Sequence, residues 1–173
     1  MSTDHRRKRL LQCLQTSQQP VTGAQLSEEL GVTRQVIVSD IALMRASGVR
    51  IVATPRGYMV EQPADHLHYR TIASQHNSDP EAIRSELYTI VDLGGEILDV
   101  KVEHPLYGEL TASLQIRSRL HVDQFIVSLK DSKAEPLLVL TDGLHLHTIA
   151  AESEAVLNQI STALAAKHFV PED

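Results

Sequence analysis

Charge divides this chain in two. Residues 1–60 carry eight Lys/Arg against four Asp/Glu, a net of +4, while residues 61–173 carry 8 against 18, a net of −10. That split predicts a short basic module that meets a polyanion and a longer acidic module that does not. The 173 residues hold enough apolar side chains, 42 %, to fill two small cores. Aromatics make up only 3 % and Trp is absent, which argues against base stacking on single strands. The one cysteine, Cys13, lies among Leu10, Leu11 and Leu14 and reads as a small buried hydrophobe rather than a redox group. No run approaches the roughly 20 apolar residues of a membrane span, and the basic start lacks a signal-peptide pattern. The expected location is the cytoplasm, away from membranes.

In the basic module, Leu10, Leu11 and Leu14 fall at helical spacing within residues 6–17, and Pro20-Val21 ends that helix. Thr22 is placed to cap a second helix over Ala24–Leu30, which Gly31 stops. Thr33 is placed to cap a third, with Ile37, Ile41 and Met44 inward and Gly48 as its stop. Val49–Ala53 and Tyr58–Val60 read as two strands joined by Thr54-Pro55-Arg56-Gly57. The result is a winged helix-turn-helix over residues 1–62. Off the apolar stripe, the start of the third helix presents Thr33, Arg34 and Gln35, with Val38 and Ser39 one turn on. There a recognition helix reads the major groove, where Arg pairs with guanine and Gln with adenine. Arg56 in the wing is placed for phosphate or the minor groove. Double-stranded DNA is therefore the expected polyanion, bound by a homodimer at a two-fold-related operator.

Glu61–His68 is polar, contains Pro63 and reads as a linker. The acidic module, residues 69–173, then alternates strands and helices: strand Tyr69–Ser74, a helix from the Asp79-Pro80-Glu81 start to about Leu93, and strands Ile97–His104 and Glu109–Ile116. A helix over Val122–Lys130 follows, then strands Leu137–Thr141 and Leu144–Ile149 joined by the hairpin signal Asp142-Gly143, then a helix over Glu152–Lys167. The fold class is α+β: an antiparallel sheet with helices packed on it, containing the split βαβ plan with an added strand and helix.

Nine histidines are many for this length. His145 and His147 are two apart on a strand, so both leave the same face and are spaced to share one ion. Glu86 borders the Ile83/Leu87/Ile90 stripe, where an unpaired carboxylate is costly. His76 precedes the cap of that same helix, and His104 follows Leu98, Val100 and Val102 on a core-facing strand side. Imidazoles with one carboxylate suit one divalent transition ion per chain, Ni, Zn or Fe. His5, His66, His68, His121 and His168 read as surface residues. No H-E-x-x-H or comparable general-base motif is present, so an enzyme ranks below a small-molecule-sensing repressor and a metal-sensing regulator.

Residues 6–60 resemble the winged-helix domain of biotin-repressor-like regulators, through Ala24-Gln25-Leu26-Ser27-Glu28-Glu29-Leu30-Gly31-Val32-Thr33-Arg34-Gln35 and the Arg45…Gly48 exit. Residues 69–170 resemble the three-histidine (3H) domain, and the combination resembles the NiaR family of nicotinate-responsive repressors of NAD-biosynthesis and niacin-uptake genes. The match is carried by His76, by Glu86-Leu87-Tyr88 with Gly94-Gly95, by Val102-Glu103-His104-Pro105-Leu106-Tyr107-Gly108-Glu109, and by Leu140-Thr141-Asp142-Gly143-Leu144-His145-Leu146-His147-Thr148-Ile149. The resemblance implies metal ligands at His76, Glu86, His145 and His147. It also implies nicotinic acid as effector, with His104 and Tyr107 lining its pocket.

Overall fold

A computed structural model describes residues 2–61 and 66–171, and the chain divides into two compact units, 1–63 and 64–173. The middle of the expected linker, residues 62–65, lies outside the described residues.

In the first unit, α1 (Thr3–Thr16), α2 (Gly23–Leu30) and α3 (Arg34–Ala46) close over Leu10, Leu14, Leu26, Leu30, Ile37, Ile41 and Met44. The helix starts are chemically specified. Thr22 and Gln25 form a reciprocal capping box, and the Thr33 hydroxyl accepts the Val36 N–H. Gly31 ends α2 in the left-handed region at φ +63°. β1 (Ile51–Thr54) and β2 (Gly57–Val60) form the wing, and Val21 bridges to Tyr58 beside it. Asp40, buried within α3, binds the Arg6 guanidinium through two contacts (2.6 and 3.1 Å) and Arg7 Nε at 3.0 Å, tying α1 to α3. Those guanidiniums, Arg6 first, hold its carboxyl below the usual range against the upward push of burial. Cys13 is half-buried and packs on the core edge, less enclosed than its neighbours in sequence imply.

The second unit is a four-stranded antiparallel sheet in the order β3-β6-β4-β5, built from β3 (His68–Gln75), β4 (Glu96–His104), β5 (Gly108–Ile116) and β6 (Leu144–Ala151). Helices α4 (Pro80–Asp92), α5 (Arg119–Ser132) and α6 (Glu154–Ala166) pack on it. Both β3 and β4 run antiparallel to the β6 between them, which makes β3-α4-β4 a split βαβ unit. The core joins Leu87, Ile90, Ile97, Ile126, Ile149, Leu157 and Ile160.

One expected strand is absent from the sheet. Leu137–Thr141 is a short 3₁₀ helix, and there is no Asp142-Gly143 hairpin joining two strands. β6 instead pairs with β3 and β4, partners remote in sequence. Asp142 and Gly143 do adopt the positive φ values (+51° and +91°) that make the pair a hairpin signal, but they end the 3₁₀ turn. The sheet consequently has four strands rather than five.

Candidate functional site

Strand periodicity places His145, His147, Ile149 and Ala151 along the helix-facing side of β6. The core stripe thus ends in two imidazoles, buried to 2 % and 3 % exposure. Opposite them α4 presents Glu86, 1 % exposed, from a face otherwise made of Ile83, Leu87 and Ile90. His76 enters just beyond β3, edge-on to His145 with ring centroids 4.9 Å apart and against Phe169 at 5.3 Å.

The proton inventory of this cluster decides its chemistry. His76 Nδ1 lies 2.8 Å from the Asn77 carbonyl, His145 Nδ1 2.8 Å from the Gly143 carbonyl, and His147 Nδ1 2.6 Å from the Asp99 carbonyl. A carbonyl only accepts, so each Nδ1 carries the ring proton, and each neutral ring is left with a lone pair on Nε2. All three Nε2 atoms converge on one carboxylate oxygen, Glu86 Oε2, at 2.7 Å (His76), 3.2 Å (His145) and 3.6 Å (His147). Lone pairs facing an anion repel unless a proton or a cation joins them. Protonating all three rings would leave a buried net +2, an arrangement that desolvation opposes. A cation is the other way to join these donors.

The spacing fits such an ion. Bonds of about 2.1 Å give ligand–ligand edges of about 3.0–3.4 Å in octahedral or tetrahedral sites. His76, Glu86 and His145 offer ligand atoms within 4.8 Å of one another; His147 falls outside that group, with its Nε2 3.6 Å from Glu86 Oε2. The second carboxylate oxygen, Glu86 Oε1, is buried with no hydrogen-bond partner, a free acceptor at the same point. Fixing imidazoles through Nδ1–H···O=C bonds is the usual outer-shell support of metal-bound histidine. Burial alone raises the Glu86 carboxyl, yet in the metal-free cluster the charge of a protonated His147 and hydrogen bonds from rings protonated on Nε2 hold it well below the usual range. Burial lowers His76 and His147, and Glu86 outweighs it, so both are raised.

The other expected site residues are placed as follows. Arg34, Gln35, Val38 and Ser39 are exposed on α3, and Thr33 is exposed as its N-cap. Arg56 sits half-buried in the β1–β2 turn. His104 does not enter the core: it is half-buried at the end of β4, where its Nδ1 accepts the Leu106 and Tyr107 N–H groups. Its ring lies 5.0 Å from that of Tyr107, which is 71 % exposed. Of the histidines read as surface residues, His5, His66, His68 and His168 are exposed, and His121 is half-buried with its Nδ1 accepting the Arg117 N–H. Sequence reasoning missed the carbonyls of Asn77, Gly143 and Asp99, because backbone groups leave no residue-type signature.

A cleft of about 810 Å³ opens beside this cluster, with His145 and His104 both in its wall. Among the described residues no helix is long and apolar enough to cross a membrane.

Residues 69–173 match the 3H domain family, and residues 6–59 match a helix-turn-helix (HTH) domain family. The chain is 45 % identical over 168 residues to the probable transcription repressor NiaR of Thermotoga maritima, covering 97 % of this chain and 94 % of that protein. It is 44 % identical over 163 residues to the transcription repressor NadR of Bacillus subtilis, covering 92 % and 89 %. With a DNA-binding helix-turn-helix module ahead of a 3H domain and this likeness along nearly its whole length, the chain belongs to the NiaR/NadR family of transcription repressors.

Proposed function

We propose that this repressor controls NAD-biosynthesis and niacin-transport genes, with nicotinic acid as co-repressor bound beside a metal ion in the 3H domain. The convergence of three imidazole Nε2 lone pairs on one buried carboxylate oxygen, with a cleft at its edge, is the observation that carries this reading. His76, Glu86, His145 and His147 hold one divalent transition ion per chain, Ni, Zn or Fe, which supplies a Lewis-acidic point for a ring nitrogen or carboxylate. His104 and Tyr107 flank the incoming ligand. A homodimer in the cytoplasm places two recognition helices on a two-fold operator, with Thr33, Arg34, Gln35, Val38 and Ser39 toward bases and Arg56 toward the backbone.

Operator affinity titrated with nicotinic acid, nicotinamide and NAD tests this. Nicotinic acid should tighten binding by about 5- to 150-fold, the usual range of coupling between sites. Arg34→Ala should weaken operator binding by about 1–3 kcal/mol and relax preference at one base position while keeping the response to the acid. A response to the metal alone, unchanged by any of the three compounds, would instead identify a metal sensor.

The titration behaviour gives a further check. Raised imidazoles stabilise the metal-free fold below pH 6.5 and lose that contribution as pH climbs through their folded values. The lowered Glu86 contributes above 4.5 and loses it as pH falls through its folded value. The ion, by contrast, needs unprotonated Nε2 atoms. Calorimetric titration of Ni²⁺ or Zn²⁺ at pH 7, in buffers of different ionisation enthalpy, should show net proton release that shrinks as the pH is raised. Uptake without proton release would contradict this account of the cluster.

A further inference from the structure

We infer that the cleft between β4 and β6 selects a ring carboxylate over its neutral amide, and that Lys101 is the residue that does so. This rests on the effector reading above and specifies how the pocket tells two closely similar molecules apart.

The cleft exists because the two central strands part. The β4–β6 register ends at Lys101↔Leu146, whereas β4 stays paired with β5 as far as His104↔Gly108 and β6 with β3 as far as Gln75↔Leu144. About 810 Å³ opens in the fork, within the size range of small-molecule sites. Ala73, Val102, Leu144 and Leu146 give it apolar walls, and His145 joins it to the metal centre.

Lys101 stands at the fork. Its Nζ is ion-paired with Asp99 Oδ2 at 3.7 Å, beyond direct hydrogen-bond distance, so that carboxylate does not take up the ammonium's N–H donors. The other Asp99 oxygen, Oδ1, accepts the Thr148 N–H at 2.9 Å. His104 leaves the other face of β4, and its Nδ1 accepts two backbone N–H groups of the following turn, at 3.1 and 3.3 Å. The two acids of the lining, Glu103 and Glu109, face each other across β4 and β5 and are exposed. They repel an anion, so its contact falls to Lys101. An apolar slot with one ammonium fits an aromatic ring bearing a carboxylate. A carboxamide forfeits the charge-assisted bond and turns an NH₂ donor toward other donors.

Calorimetric titration of the full chain, preloaded with Ni²⁺ or Zn²⁺, with nicotinate and with nicotinamide tests this in wild type, K101M and K101R. Wild type should favour nicotinate by about tenfold or more, the worth of a hydrogen bond to a charged group. K101M should lose that preference by weakening nicotinate alone, and K101R should keep most of it. A K101M protein that still prefers nicotinate by about tenfold overturns the inference. So does one that has lost the ion, because Lys101 would then act through the metal centre. A wild type that tightens on its operator with nicotinate yet binds both compounds equally refutes the selectivity and spares the effector reading. One that binds neither refutes both.

Discussion

Replacing His145 and His147 together with alanine is expected to abolish uptake of a divalent transition ion. Loss of an outer-shell partner alone typically costs 10- to 100-fold in metal affinity, so losing two ligands should exceed that range. Both side chains are almost fully buried, and the double truncation leaves a cavity beside Glu86. The domain should nevertheless fold, because Ile149, Ala150 and Ala151 still anchor β6 and its pairing with β3 uses backbone groups. Circular dichroism and metal content per chain, read on the same preparation, separate the two effects. A folded double variant with a full complement of ion would remove these histidines from the site, and the response to nicotinic acid should fall with the metal.

Gly143→Ala is expected to do comparable damage from a position with no side chain. A Cβ there would stand 2.2 Å from the His76 carbonyl oxygen and 3.1 Å from its carbon, both backbone atoms that cannot swing aside. The φ of +91° adds strain for any L side chain. The Gly143 carbonyl also accepts the His145 Nδ1–H and, at 3.4 Å, the His76 N–H, so one peptide orients two ligands. The substitution should cost about 2–4 kcal/mol in thermal unfolding and lower metal affinity at least tenfold. Asp142→Gly, at the exposed neighbour with φ +51°, should stay within about 1 kcal/mol. Equal tolerance at both positions would refute the role assigned to this peptide.

Much of the fold was legible because local chemistry and long-range packing agree. Thr22, Thr33 and Asp79-Pro80 start their helices as cap preferences dictate, and alternation in β4 and β5 gives a real antiparallel pair. Leu137–Thr141 reads as a strand because four apolar residues and a threonine before Asp-Gly satisfy a strand pattern, and periodicity cannot separate so short a run from a helical turn. His104 departs from its expected core-facing place because alternation continues past the point where the strand still packs on the core. There its ring is taken up by the N–H groups of the following turn. At the site, a period of two placed His145 and His147 together, and the cost of a lone carboxylate singled out Glu86. The fork between β4 and β6, which makes the cleft and sets Lys101 at its apex, depends on register shifts that no local pattern announces.

Elemental analysis of protein purified without an affinity tag most directly tests the claim on which the rest depends. The protein is expected to carry one divalent transition ion per chain, removable by chelation and restored by Ni²⁺, Zn²⁺ or Fe²⁺. Protein that carries no metal, and takes none up when each of the three ions is added, would contradict it.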